Sequence, residues 1–194
     1  MVYKYRSTTP DWLYHEPSLN PALLPAIQKE LLKLFIQTKK ETLVPYTSTA
    51  VEIAHKELMR NTCTTLMQEF QRLGIYDNFF VITFISVEST REFPPHVDVG
   101  VDIALNIPLI NCEDTYTCWY KLKPGRKARR ALHPINKFLF NMYDLEDLDE
   151  VGRYYLHSAA FFNTSEIHRP VNNTDQDRVV LSIRFDTDLQ DAIN

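Results

Sequence analysis

His96 and Asp98 stand two positions apart in FPPHVDVGVDIALNIP, where an apolar run ends. In extended backbone, side chains two apart share a face, so an imidazole and a carboxylate converge there. They are two members of the two-histidine, one-carboxylate set that holds non-haem iron(II) and leaves coordination positions open. Alone, the pair also fits a surface histidine beside a turn aspartate. A metal site needs a further histidine from elsewhere in the chain.

His168 is the candidate. It sits in FFNTSEIHRPVNNTDQDRVVLSIRF, just past an apolar strand, and Asn- and Asp-rich turn chemistry follows it. A new strand starts at Arg178, ten positions on. If the two segments pair as a hairpin, Arg178 lies on the strand beside His168. On that last strand Val179, Leu181, Ile183 and Phe185 face one way, and Arg178, Val180, Ser182 and Arg184 the other. Two arginines turned inward are costly without an anion to pair with, and a guanidinium holds a carboxylate in bidentate fashion. The competing reading is an edge strand with its polar face in water. His157 is a second histidine in strand-like sequence, but only His168 has an arginine ten places later.

The elements that must position these groups are legible in part. Leu24, Ile27, Leu31 and Leu34 recur at helical spacing behind Asn20 and Pro21, an N-cap with proline at the first helical position. The spacing predicts a second helix from Thr49 to Leu73, with Thr49 and Glu52 as a capping box and Gly74 as its stop. Strand texture follows in FFVITFISV, VDIALNIPLI, TYTCWYKL, NKFLFNMY, RYYLHSAAFFN and RVVLSIRF. The expected fold class is α+β, with a jelly-roll core of mainly antiparallel strands buttressed by N-terminal helices. The expected organisation is one domain over residues 1–194: leader and helices over 1–78, core over 79–186 and a tail over 187–194.

Composition narrows the function classes. A net charge of −4 argues against a molecule-wide polyanion binder and leaves any nucleic-acid contact to a local patch. Three cysteines without a Cys-x-x-Cys pair suit a reducing compartment. No signal-peptide-like or membrane-spanning run is visible. The expectation is a cytoplasmic protein with no membrane partner. The one basic block is KLKPGRKARRALH, which carries Arg126, Lys127, Arg129 and Arg130. It reads either as a substrate lip, with Trp119 stacking nearby, or as a solvated loop balanced by the acidic run DLEDLDE.

Together, HVD, a gap of 70 positions, and a histidine followed ten positions later by arginine resemble the iron(II)/2-oxoglutarate-dependent oxygenase superfamily. The resemblance covers roughly residues 79 to 186 and implies a double-stranded β-helix. It implies that His96, Asp98 and His168 ligate iron(II), and that Arg178 pairs with the far carboxylate of the cosubstrate 2-oxoglutarate. Ser182, Arg184, Asn106 and Tyr120 are the further cosubstrate candidates, with Tyr116 close to the last. Many members carry serine two positions after the arginine, where this chain has Val180. The spacing of Arg178 and Arg184 is similar to the R-x5-R of the nucleic-acid demethylase branch.

The implied activity consumes dioxygen and 2-oxoglutarate, releases succinate and carbon dioxide, and hydroxylates a peptide side chain or small molecule. Alternatives are demethylation of a nucleic-acid base, a non-catalytic jelly-roll binding or structural module, and a cupin-like metalloenzyme that does not use 2-oxoglutarate.

Overall fold

The computed structural model describes residues 13–17, 19–41, 50–53, 56–76, 79–87, 93–98, 102–132 and 139–185. Among the described residues, twelve strands form two antiparallel sheets. The first sheet runs in the order β1 (Tyr14–His15), β10 (Ala160–Asn163), β5 (Ile103–Ile110), β12 (Arg178–Phe185), β3 (Phe79–Val87) and β2 (Ala50–Ile53). The second runs β7 (Arg129–Leu132), β8 (Leu139–Met142), β4 (His96–Val97), β11 (Ile167–Asn172), β6 (Thr115–Leu122) and β9 (Leu148–Tyr155).

Alternation along β5 and β12 decides what each face of the first sheet does. Ile103, Leu105 and Ile107, with Leu181, Ile183 and Phe185, pack beneath the helices in one core. Helix α1 (Leu24–Glu41) lays Ile27, Leu31 and Leu34 on that face, all fully buried. Each such side chain contributes about 1.5–3 kcal/mol. Asn20 caps the start as expected: its side chain accepts from Ala22 N–H ahead of a 3-10 turn over Pro21–Leu23. The opposite faces of the two sheets meet in a second core, where Val180 packs with Trp119, Tyr154 and Phe162.

The expected second helix is corrected. Ala50–Ile53 is a strand on the edge of β3, and the helix that follows is two helices, α2 (Lys56–Thr62) and α3 (Thr64–Arg72). A β-branched segment beside the unpaired backbone groups of β3 gains a full ladder of hydrogen bonds there, which outweighs a helical period. The break falls at Cys63 (φ −110°, ψ 60°), inside the run Asn61–Thr65 of poor helix formers. Glu30 of α1 then accepts from the Thr65 N–H and both threonine hydroxyls, serving as a cap borrowed from another helix. Gly74 does end α3, at φ 72°. Thr49 and Ala54 lie outside the described residues.

The leader is also more than an accessory. Tyr14 and His15 pair with Phe162 and Phe161 as a strand of the first sheet. Leu13 covers Gly152, where an added Cβ would stand 2.5 Å from Leu13 Cδ1.

Glu69 is buried on α3 and accepts from Asn20 N–H and from Arg72. The Arg72 hydrogen bond first, and then the Asn20 amide, hold its carboxyl below the usual range against the opposing effect of burial. A depressed folded pKa gives stability that is whole above the unfolded value and is lost as pH falls through the folded one. Glu69→Gln is therefore expected to cost about 1–3 kcal/mol near neutral pH. It should also flatten the loss of stability on acidification. Most of the cost comes from the amide bond, because water screens the half-exposed Arg72. Urea denaturation at neutral and acidic pH checks both outcomes.

Candidate metal and cosubstrate site

His96 and His168 meet because β4 and β11 are neighbours, and the two histidines are direct cross-strand partners. Their ring centroids lie 4.6 Å apart. Asp98 follows at the end of β4, where its N–H donates to Thr164 O. Ligand atoms of His96, Asp98 and His168 all lie within 4.8 Å of one another. Donors that each stand about 2.1 Å from a metal are at most about 4.2 Å apart, so small side-chain rotations close the set.

Each histidine is oriented in the same way. His96 Nδ1 lies 3.0 Å from Pro94 O, and His168 Nδ1 lies 2.9 Å from Glu166 O. A carbonyl accepts only, so each Nδ1 carries the proton and each Nε2 offers a lone pair toward the cluster. Burial first, and then repulsion from His96, push the His168 pKa down to about 4. The ring is thus neutral and ready to ligate at physiological pH. Burial pushes the Asp98 carboxyl up, but the Arg184 guanidinium above all, with the two neighbouring histidines, outweighs it and holds it well below the usual carboxylate range. Arg184 Nη1 forms an ion pair with Asp98 Oδ2, though without an aligned hydrogen bond.

The hairpin expected between His168 and Arg178 does not form. β11 pairs with β4 and β6, whereas β12 pairs with β3 and β5. The turn between them crosses from one sheet to the other. Asn172 ties it down by accepting from Thr174 and donating to Gln176 O. Arg178 therefore belongs to the sheet opposite His168.

The inward face of β12 has the predicted membership. Arg178, Ser182 and Arg184 share it with Val180, which packs in the core between the sheets. Ser182 stands opposite Asn106 in register. The two arginines bracket this face from opposite ends of the strand, with Arg184 at the metal cluster. Arg178 is 3% exposed. Its Nε has no hydrogen-bond partner, and neither does Asn106 Oδ1. Burial lowers the Arg178 pKa, yet an arginine stays protonated in a protein. The result is a buried cation with no ion-pair partner among the described residues.

Other expected positions are corrected. Tyr120 lies opposite Ile167 in register, on the far face of the second sheet, where its hydroxyl accepts from Arg169 Nε. Tyr116 shares that outer face, beneath Arg153. A strand cannot send Trp119 and Tyr120 to one side, and it is Trp119 that faces inward, as the register partner of His168. Trp119 is fully buried and donates to Asn163 O, so it belongs to the chamber wall and not to a surface lip.

Three residues of the basic block have acidic partners. Arg126 pairs with Asp147, Arg129 with Asp144, and Lys123 with Asp149 and Glu146 O. Lys127 and Arg130 are exposed, and β7 lies two strands from His96. Arg129 also lines a pocket with Phe93 and Pro94, beside His96. His157 sits between β9 and β10 with its exposed ring stacked on Tyr155.

Three neighbours of the site were not singled out from the sequence. Phe93 packs its ring 5.0 Å from that of His96. Thr117 is buried on the inner face of β6. Cys112 places its Sγ 3.3 Å from Val179 O, next to Arg178 in the chain. The placement of Phe93 three residues before His96 was a local signal. The other two become visible only once the sheets are stacked.

No protein-family model matches the sequence, and no curated protein matches it. Solved structures do. The non-haem α-ketoglutarate-dependent carbocyclase SnoK from nogalamycin biosynthesis aligns over 90% of this chain and 79% of its own, at 13% identity and TM-score 0.50. The α-ketoglutarate-dependent epimerase SnoN of the same biosynthesis aligns over 89% and 75%, at 14% identity and TM-score 0.52. A Pseudomonas putida prolyl-4-hydroxylase aligns over 91% and 93%, at 11% identity and TM-score 0.50.

The chain has the fold of the 2-oxoglutarate-dependent oxygenases.

At these identities the likeness is one of fold, the double-stranded β-helix. On that fold the donor set of this chain suits iron(II): two imidazoles and one ionised carboxylate. The unpartnered Arg178 Nε and Asn106 Oδ1 suit a polar, anionic organic ligand between the sheets. No helix among the described residues is long and apolar enough to cross a membrane. All three cysteines are free.

Proposed function

We propose that the chain is a non-haem iron(II)- and 2-oxoglutarate-dependent oxygenase that hydroxylates a peptide side chain or a small molecule. The carrying observation is a buried Arg178, without an ion-pair partner among the described residues, on the inner face of the same β-helix that gathers His96, Asp98 and His168. A binding or structural module has no use for such a cation, which costs several kcal/mol in burial.

Iron(II) bound there supplies the coupling of dioxygen to oxidative decarboxylation of 2-oxoglutarate, giving succinate and carbon dioxide with one oxygen atom passed to the substrate. The chain's own groups do the rest. His96 and His168 present Nε2 because their Nδ1 protons are committed to Pro94 O and Glu166 O. Arg184 keeps Asp98 ionised and fixes its direction. Arg178 receives the far carboxylate of the diacid, and Asn106 and Ser182 line the space between. Trp119, Phe162 and Val180 form a dry wall that limits water at the reacting end.

A peptide or small molecule is favoured over a methylated base because the basic block that motivated the nucleic-acid reading is held by Asp144, Asp147 and Asp149. The double-stranded β-helix also serves the prolyl hydroxylase among its fold neighbours.

The test is an anaerobic loading with iron(II) and 2-oxoglutarate, followed by admission of oxygen. Slow succinate release without substrate, lost in His96→Ala, is expected. Absence of iron or 2-oxoglutarate binding at millimolar concentration would overturn the proposal. Comparing oxidation of peptide and methylated-oligonucleotide pools then separates the substrate classes.

A further inference from the structure

We infer that the primary substrate is a polypeptide, docked in a groove between residues 93–95 and 143–146 so that one of its side chains reaches the metal cluster past Phe93. The inference rests on the oxygenase reading and narrows its substrate to one class.

The two banks of the groove are joined at their base, where Tyr143 N–H donates to Pro95 O at 3.0 Å. Phe93, Pro94 and Pro95 form one bank, and Tyr143 and Leu145 bring apolar surface to the other. Leu145 is 41% exposed, a large hydrophobic side chain left uncovered beside the groove. The first bank also touches the metal site. The Phe93 ring lies 5.0 Å from the His96 ring, and Pro94 O receives the His96 Nδ1 proton. The cluster keeps some exposure at His96 and Asp98, whose side chains are 12% and 17% exposed, whereas Trp119, the neighbour of His168, is fully buried. The approach to the cluster is therefore from the strand that follows Phe93.

Shape and charge select the occupant. The groove holds about 580 Å³ and is open along its length. A small-molecule site encloses about 70–90% of its ligand, which walls this open do not do. A chain that runs on past both ends suits it better. The rim carries both signs, with Arg129 and Arg169 beside Asp144 and Glu146. A peptide main chain presents a donor and an acceptor at nearly every residue, so it can use both. A phosphate backbone would meet two carboxylates, and like charges set against each other reject a partner. Arg129 and Asp144 face each other at 3.6 Å with about three-fifths of each side chain exposed. Such a surface pair is weak and opens readily toward a ligand.

The experiment pans a phage-displayed library of random twelve-residue peptides on protein loaded with manganese(II) and 2-oxoglutarate. A related set of sequences should be enriched, and a fluorescein-labelled member should bind in solution by anisotropy. Leu145→Asp and Arg129→Glu change exposed positions and should unfold at the wild-type urea midpoint. Each should weaken the labelled peptide by at least about tenfold. Manganese(II) should broaden the proton resonances of the bound peptide, and diamagnetic zinc(II) should not. The inference is overturned if no sequence is enriched, if the peptide binds both variants as tightly as wild type, or if manganese leaves its resonances sharp. A methylated single-stranded oligonucleotide that binds wild type and is weakened by Leu145→Asp would give the groove to nucleic acid and overturn it as well. Calorimetry on the same protein keeps the two readings apart. Protein that takes up neither manganese nor 2-oxoglutarate, yet binds peptide in the groove, removes the oxygenase reading itself, a separate failure.

Discussion

Asp98→Ala should lower iron(II) affinity by at least about 100-fold, because even residues that only support metal ligands are worth about 10–100-fold, and it should abolish 2-oxoglutarate turnover. The same change should destabilise the metal-free protein. Asp98 is the ion-pair partner of Arg184, and both side chains are less than one-fifth exposed. Removing one member of such a pair strands the other charge, at about 3–5 kcal/mol. The two effects come apart in a double variant. Asp98→Ala with Arg184→Met should regain most of the lost stability, since the stranded cation is gone, yet it should bind iron no better than the single variant. Anaerobic calorimetric titration and urea denaturation measure the two quantities. A single variant that keeps wild-type iron affinity would remove Asp98 from the metal site.

For Arg178→Met the two signs should oppose. The guanidinium is nearly fully buried and its Nε has no partner, so an apolar side chain of similar length relieves an uncompensated charge. The folded state should therefore hold its stability or gain about 1–4 kcal/mol. Affinity for 2-oxoglutarate should fall by about 2–5 kcal/mol, the cost of truncating one side of a buried charge pair. Arg178→Lys should recover only part of it, because a point charge does not reproduce the planar fork. Gain of stability with loss of binding is the pattern of a residue kept for function. Lower stability with unchanged binding would mean that Arg178 is a structural group with a partner of its own.

How much of this was legible beforehand varies by element. Local periodicity carried the helix over Ile27, Leu31 and Leu34, the split faces of β5 and β12, and the caps at Asn20 and Gly74, because each depends on residues within a few positions of one another. The three metal-ligand candidates and Arg178 also emerged from residue type and spacing, and the structure brings the three ligands together. Pairing partners were a different matter. The segment after His168 reads equally well as a hairpin or as a crossover, and only the stacking of two sheets sends β12 to β3 and β5. Ala50–Ile53 reads as helix until β3 offers it an edge. Tyr120 has the right chemistry on the wrong side, since one residue of register decides the face.

By itself the chain determined which side chains can ligate a metal, which strand turns arginines away from its apolar face, and which stripes the helices bury. Tertiary structure alone decided that His96 and His168 are cross-strand partners, that Arg184 is tied to Asp98 while Arg178 has no ion pair among the described residues, and that Arg126 and Arg129 pair with acids about twenty residues downstream in sequence. The reason is physical. Side-chain direction follows from local backbone geometry, which sequence encodes within a turn or a pleat. Which charges end up paired depends on contacts between residues far apart in the chain, set by the burial of whole faces at once.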